Sequence, residues 1–166
     1  AEKNIINVDD INVLCSGVIN YNKLKPYHAI ILVKNYTGLR NLYELISVSH
    51  LEYYHKRPRI PKSQLMKRRE GLILGSACEA GELYRALLDD KPKGVIEEIV
   101  NFYDYLEIQP LGNNKFMINS PKIENVNSLD DIKAYNKKIV DLAETHNKLC
   151  VATCDVHFID PKDSDY

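Results

Sequence analysis

At 166 residues the chain has room for one domain with a real core. Its apolar fraction of 45% and charged fraction of 27% are those of a globular protein, and a net charge of −1 exerts no global pull on nucleic acid or anionic lipid. No apolar run approaches the ~18 residues of a membrane span, and no signal-peptide pattern opens the chain. Cys15, Cys78, Cys150 and Cys154 are too irregularly spaced for a disulfide framework, which points to reduced thiols and a cytoplasmic setting. The closing residues, Asp163 to Tyr166, read as the middle of something longer.

Residues 1–25 are a mixed, polar opening, with a short helical turn expected over Asn7 to Val13. Pro26 breaks the chain, and Tyr27 to Val33 (YHAIILV) has the run of apolar residues of a buried strand, with His28 on the same face as Ile30 and Leu32. From Leu39 the spacing turns helical, through Leu42, Tyr43, Leu45 and Ile46. Lys56 to Arg69 holds seven basic residues and no acid. Pro58 and Pro61 make its first half extended, and Ser63 is placed to cap a short helix through Lys67. Such a stretch either meets phosphates, with Lys56, Arg57 and Arg59 foremost, or is a solvated face.

Gly71 to Ala77 (GLILGSA) is a third apolar run, with Cys78 just past its end, where α/β folds collect functional groups. Glu79 and Glu82 follow, and acids there suit the start of a helix over Glu82 to Leu88. A further helix runs from Pro92 to Val100, a strand covers Tyr103 to Ile108, and a polar loop spans Gln109 to Asn127. Ser128 and Asp131 resemble a capping box for a helix to about His146.

Leu149 to Phe158 (LCVATCDVHF) then reads as a buried strand, on which Asp155 and His157 at i and i+2 share a face. A carboxylate and an imidazole at the end of a buried strand each need a partner, and a divalent metal satisfies both; the alternative is a strand leaving the core with both groups in solvent. The order of elements predicts an α/β architecture of parallel strands with helices outside, and four strands are too few to close a seven- or eight-stranded barrel. Imidazole, thiolate and carboxylate together suit zinc, and imidazole with carboxylate suits manganese or iron. In a plain parallel barrel, however, His28 would lie at the opposite end of the strands from Cys78.

The segments HAIILVKNYTGLRNLYELISVSH, RPRIP, EGLILGSACEAGEL and VATCDVHFIDPKD, in that order, resemble successive motifs of the PHP (polymerase and histidinol phosphatase) domain of bacterial replicative polymerases, of the PolC rather than the DnaE type. The resemblance covers about residues 20–166. It implies part of a distorted, TIM-like (β/α)7 barrel, with residues 26–166 forming the portion after an exonuclease insertion and residues 1–25 the entry segment. It also implies a cluster of zinc or manganese ions, with His28, Cys78, Asp155 and His157 as ligands. The family's His-x-His motif occurs nowhere in this sequence, so about half the metal shell is expected and the ions at low occupancy. Cys154 stands where the family usually has glycine, and is expected as a small buried residue.

Two functions compete on this basis. One is a structural and metal-binding part of a replicative polymerase, with the polymerase and exonuclease domains as partners, DNA reached through the parent protein, and open strand edges prone to self-association. The other is metal-dependent phosphoester or pyrophosphate hydrolysis, including a free-standing PHP phosphatase; the missing His-x-His speaks against it for this chain alone.

Overall fold

The computed structural model describes residues 2–6, 24–157, 159–160 and 162–163; the turn expected over Asn7 to Val13 and the thiol of Cys15 lie outside them. Six strands form one sheet, in the order β3-β1-β2-β4-β5-β6. In chain order these are β1 (Glu2–Ile6), β2 (Pro26–Val33), β3 (Ile60–Pro61), β4 (Leu72–Gly75), β5 (Tyr105–Ile108) and β6 (Leu149–Ala152). The described helices are α1 (Tyr36–Leu51), α2 (Lys62–Lys67), α3 (Glu82–Leu88), α4 (Lys93–Phe102) and α5 (Leu129–Thr145). A 3-10 turn, Lys115–Met117, punctuates the long polar loop.

The sheet is mixed rather than all parallel. Strands β4, β5 and β6 run parallel to one another, but β2 is antiparallel to both its neighbours, β1 and β4. The expectation of mainly parallel strands holds for the other five strands and fails at β2 alone: β3, the next strand after α1, pairs parallel with β1 and so already runs against β2, and α2 then leads into β4 in that same direction. A two-residue strand has no sequence period to detect. Residues 2–6, read as part of a polar entry segment, pair along the whole front of β2 from Ile30 to Pro26. The described strands do not close: β3 and β6 stand at the two ends of the order.

Two of the five described helices start on a side-chain cap. Asn35 caps α1 by accepting from the Gly38 N–H at 3.0 Å. The short helix α2 starts after Pro61 with no side-chain cap, so Ser63 lies within its first turn rather than before it. The capping box at α5 is present in full, with Ser128 Oγ accepting from Asp131 N and the Asp131 carboxylate accepting from Ser128 N.

Register divides the sheet into two faces. Ile31 opposite Leu74, and Leu106 beside Cys150, belong to one face. That face packs with Leu42 and Leu45 of α1 and with Ile132, Tyr135, Ile139 and Ala143 of α5 into a single core. Leu32 opposite Ile73, Ile30 opposite Gly75, and Glu107 beside Val151 belong to the other. No described helix buries this second face to the same degree: Leu32 remains 44% exposed, while Ile31 is 1% exposed. Strand β6, read as buried over ten residues, ends at Ala152 and is a half-exposed edge strand, with Leu149 69% exposed.

Candidate metal centre at the strand ends

The reversal of β2 brings His28 to Cys78. Because β2 runs against β4, the start of one strand lies beside the end of the other, and His28 Nδ1 is 3.5 Å from Cys78 Sγ. Backbone contacts lock the approach: His28 N–H donates to Ala80 O at 3.1 Å, and Gly81 N–H donates to Cys78 O at 2.9 Å. The turn that presents Cys78 is conformationally tight. Ala77, 3% exposed, has φ of 59°, in the left-handed region that side chains other than glycine adopt at a cost. Gly81 closes the same turn, and a Cβ there would fall 2.1 Å from the Ser76 carbonyl oxygen. At Gly75 a Cβ would sit 2.3 Å from the tip of the Tyr105 ring, which would have to move aside.

Asp155 and His157 leave the end of β6 together, with His157 Nε2 3.2 Å from Asp155 Oδ1. Both side chains are about 70% exposed (71% for His157 and 69% for Asp155), so any ion pair between them is water-screened. A cavity of about 500 Å³ joins the two groups. His28, Cys78, Glu107, Cys154 and Asp155 line it, over the open face of the sheet; His157 is not among its lining residues. Cys154, expected as a small buried residue, is exposed.

The donor types suit a divalent cation, but their grouping is incomplete. Two pairs are present, His28 with Cys78 and Asp155 with His157. Among the described residues no three of His, Cys, Asp or Glu lie close enough together to hold an ion.

Sequence reasoning missed the carboxylates of this cavity. Glu79, read only as helix-start electrostatics, is one lining residue, and Glu107 of β5 is another. Glu107 is 6% exposed. An acid in the middle of a short apolar strand was the available signal, since such a group is buried only with a partner. Glu82 was also read as a helix-start acid, yet it is 4% exposed and pairs with Lys62 Nζ at 2.6 Å. The Tyr103 hydroxyl donates to it at 3.3 Å, and burial first, then the Glu82 charge, push the Tyr103 phenol well above its usual range.

The basic stretch does not form one patch. Arg59 is 2% exposed and Lys62 is buried against Glu82. Arg68 pairs with Glu44 at 3.1 Å and Arg69 with Asp104 at 2.5 Å. Lys56 and Arg57 remain on the surface, as does Lys67. Of the three residues expected to meet phosphate, only Lys56 and Arg57 are thus at the surface.

No described helix is long and apolar enough to cross a membrane. The PHP domain family model matches residues 3–110. DNA polymerase III PolC-type of Clostridium perfringens is 49% identical over 98% of this chain, that of Caldanaerobacter subterraneus 54% over 92%, and that of Bacillus subtilis 41% over 100%. In each case the chain spans about 11% of the relative's length. The strand-end pairing of His28 with Cys78, the order of the motifs and these matches lead to one assignment: the chain belongs to the PHP domain family, in its PolC-type polymerase III branch.

Proposed function

We propose that this chain is part of the PHP domain of a PolC-type replicative polymerase, where it scaffolds neighbouring domains and contributes half of a metal centre. The observation that carries this reading is that His28 and Cys78, paired with each other, and Asp155, paired with His157, line one cavity on a sheet face that no described helix buries as fully as the other. The finer fold in this reading is an arc of a (β/α)7 barrel, with the open face turned inward. Residues 26–166 are its later portion, and residues 1–25 lead into it.

His28, Cys78, Asp155 and His157 would hold zinc or manganese with further donors from outside the described residues. A thiolate favours zinc, and imidazole with carboxylate accommodates either ion. A bound divalent ion supplies Lewis-acid charge that can polarise a phosphoryl group. The chain's own part is to set donors on two rims, to fix His28 against the Ala80 carbonyl, and to aim Cys78 through the Ala77 turn. The partners in this reading are the polymerase and exonuclease domains of one polypeptide, DNA through that polypeptide, and a cytoplasmic location. Lys56 and Arg57 are the exposed cations available to a phosphate backbone.

Metal-dependent hydrolysis is the competing function, and one assay separates the two. The chain is incubated with added zinc or manganese and a phosphoester. The expected outcome is weak metal binding and no turnover. Turnover abolished by Asp155→Asn and by His157→Ala would overturn the structural reading.

A further inference from the structure

Glu107 lies outside every motif that carries the family resemblance, yet it occupies the centre of the cavity floor. Strand β5 is flanked by β4, which leads to Cys78, and by β6, which leads to Asp155. With neighbouring strands ~4.8 Å apart, the two rims are ~10 Å apart and Glu107 lies between them. Its backbone N–H donates to Ser76 Oγ at 2.9 Å, which ties it to the turn before Cys78. Its Oε1 accepts from Thr153 Oγ1 at 2.7 Å, which ties it to the segment that carries Cys154 and Asp155. Thr153 N–H in turn donates to Ile108 O at 3.0 Å, two residues before the chain reaches Asp155. A carboxylate only 6% exposed is costly unless it does something for the fold or the site.

We propose that Glu107 is the positioning residue of this centre: it clamps Thr153 so that Cys154 and Asp155 stand over the cavity, and it adds a fixed negative charge to the floor beneath a divalent cation. The clamp needs only an acceptor oxygen. The charge needs a carboxylate, and this half rests on the cation-site reading above. Glu107→Gln separates the two, since the amide keeps an acceptor oxygen and loses the charge.

The test is made on the full chain with two readouts. Residue-resolved amide hydrogen exchange follows the Thr153 N–H in the metal-free protein. Glu107→Ala is expected to speed its exchange about tenfold or more, as loss of a hydrogen bond to a charged group implies, and Glu107→Gln to leave it nearly unchanged. Thr153→Val keeps the strand residue and removes the hydroxyl. After correction for intrinsic rates, it should match Glu107→Ala, and the double variant should add nothing further. Unchanged exchange in Glu107→Ala and Thr153→Val, or full additivity in the pair, overturns the clamp. If Glu107→Ala fails to fold, Thr153→Val alone decides.

Titration with zinc alone reads the charge. Glu107→Gln is expected to weaken binding about 10–100-fold. Equal affinity for the two proteins overturns the charge role. Absence of zinc binding in the unsubstituted chain overturns the cation-site reading and the charge role with it, while the clamp stands or falls on exchange.

Discussion

The two faces of the sheet are made from the same strands but obey different rules. On the covered face, Ile31, Leu74 and Leu106 are at most 1% exposed and pack under α1 and α5. On the open face, Leu32 is 44% exposed, and a buried acid, Glu107, and a half-buried imidazole, His28, replace aliphatic residues towards the strand ends. The difference teaches where this chain keeps its packing and where it leaves room for polar groups. Residue alternation along a strand sends one set of side chains to hydrophobic packing and the other to a cavity, so one strand serves both without either set compromising the other. In β5 the division falls between adjacent residues, Leu106 behind and Glu107 in front.

The sharpest test of the packed part of the molecule is a buried charged pair. Lys62 and Glu82 are 7% and 5% exposed, with the Lys62 ammonium also 4.3 Å from the centroid of the Phe102 ring. Glu82→Ala leaves a buried cation uncompensated and is expected to destabilise by about 3–5 kcal/mol, whereas Lys62→Met with Glu82→Leu together should restore most of that. Urea unfolding of the two variants checks the pair; a single variant as stable as the parent would show that the ion pair is solvated in solution.

The two faces are compared directly by the same truncation on each. Leu106→Ala removes a fully buried side chain and is expected to cost about 2–5 kcal/mol. Leu32→Ala, on the open face, should cost under about 1 kcal/mol. Denaturant midpoints at constant slope provide the measurement. Equal losses would mean that the open face is covered in solution, by another copy or by residues outside the described set.

What could be read in the sequence follows the same division. The apolar periods of α1 and α5 and the runs of β2 and β4 were legible because burial on one side leaves a period. The Ser128 capping box was legible because its two residues sit three apart. The direction of β2 was not, because it turns on a two-residue strand, and with it the sequence reading separated His28 from Cys78. Pairing, not spacing, brings them to 3.5 Å. Glu82 and Glu107 were missed for another reason. Each is an acid whose partner, Lys62 or Thr153, lies 20 or more residues away in the chain. Arg59 shows the converse, a residue in a basic run that is buried, so charge density in sequence did not translate into a surface patch.

The dependence on pH is the effect with the clearest sign. Helix α5 backs β5 and β6, and its N-terminus is held by Asp131, whose Oδ2 accepts from Asn127 N, Ser128 N and Ser128 Oγ at 2.9 Å each. These donors, the Asn127 N–H foremost, hold the Asp131 carboxyl below the usual carboxylate range. A folded value below the unfolded one means that the unfolded chain binds the proton more tightly, so the group's contribution to stability is fully present above the unfolded value and drains away as pH falls through the folded one. The chain should therefore lose stability on acidification more steeply than Asp131→Asn, and the two curves should converge at low pH. Ser128→Ala removes the neutral half of the box and should cost about 1 kcal/mol. Because Asp131 still accepts from the two backbone donors in that variant, part of its pH slope should survive. Urea midpoints taken from neutral pH down through the carboxylate range measure both effects. Parallel curves for the parent and Asp131→Asn would show that the solvent-exposed box adds nothing in solution, and that α5 is held on the covered face by Ile132, Tyr135, Ile139 and Ala143 alone.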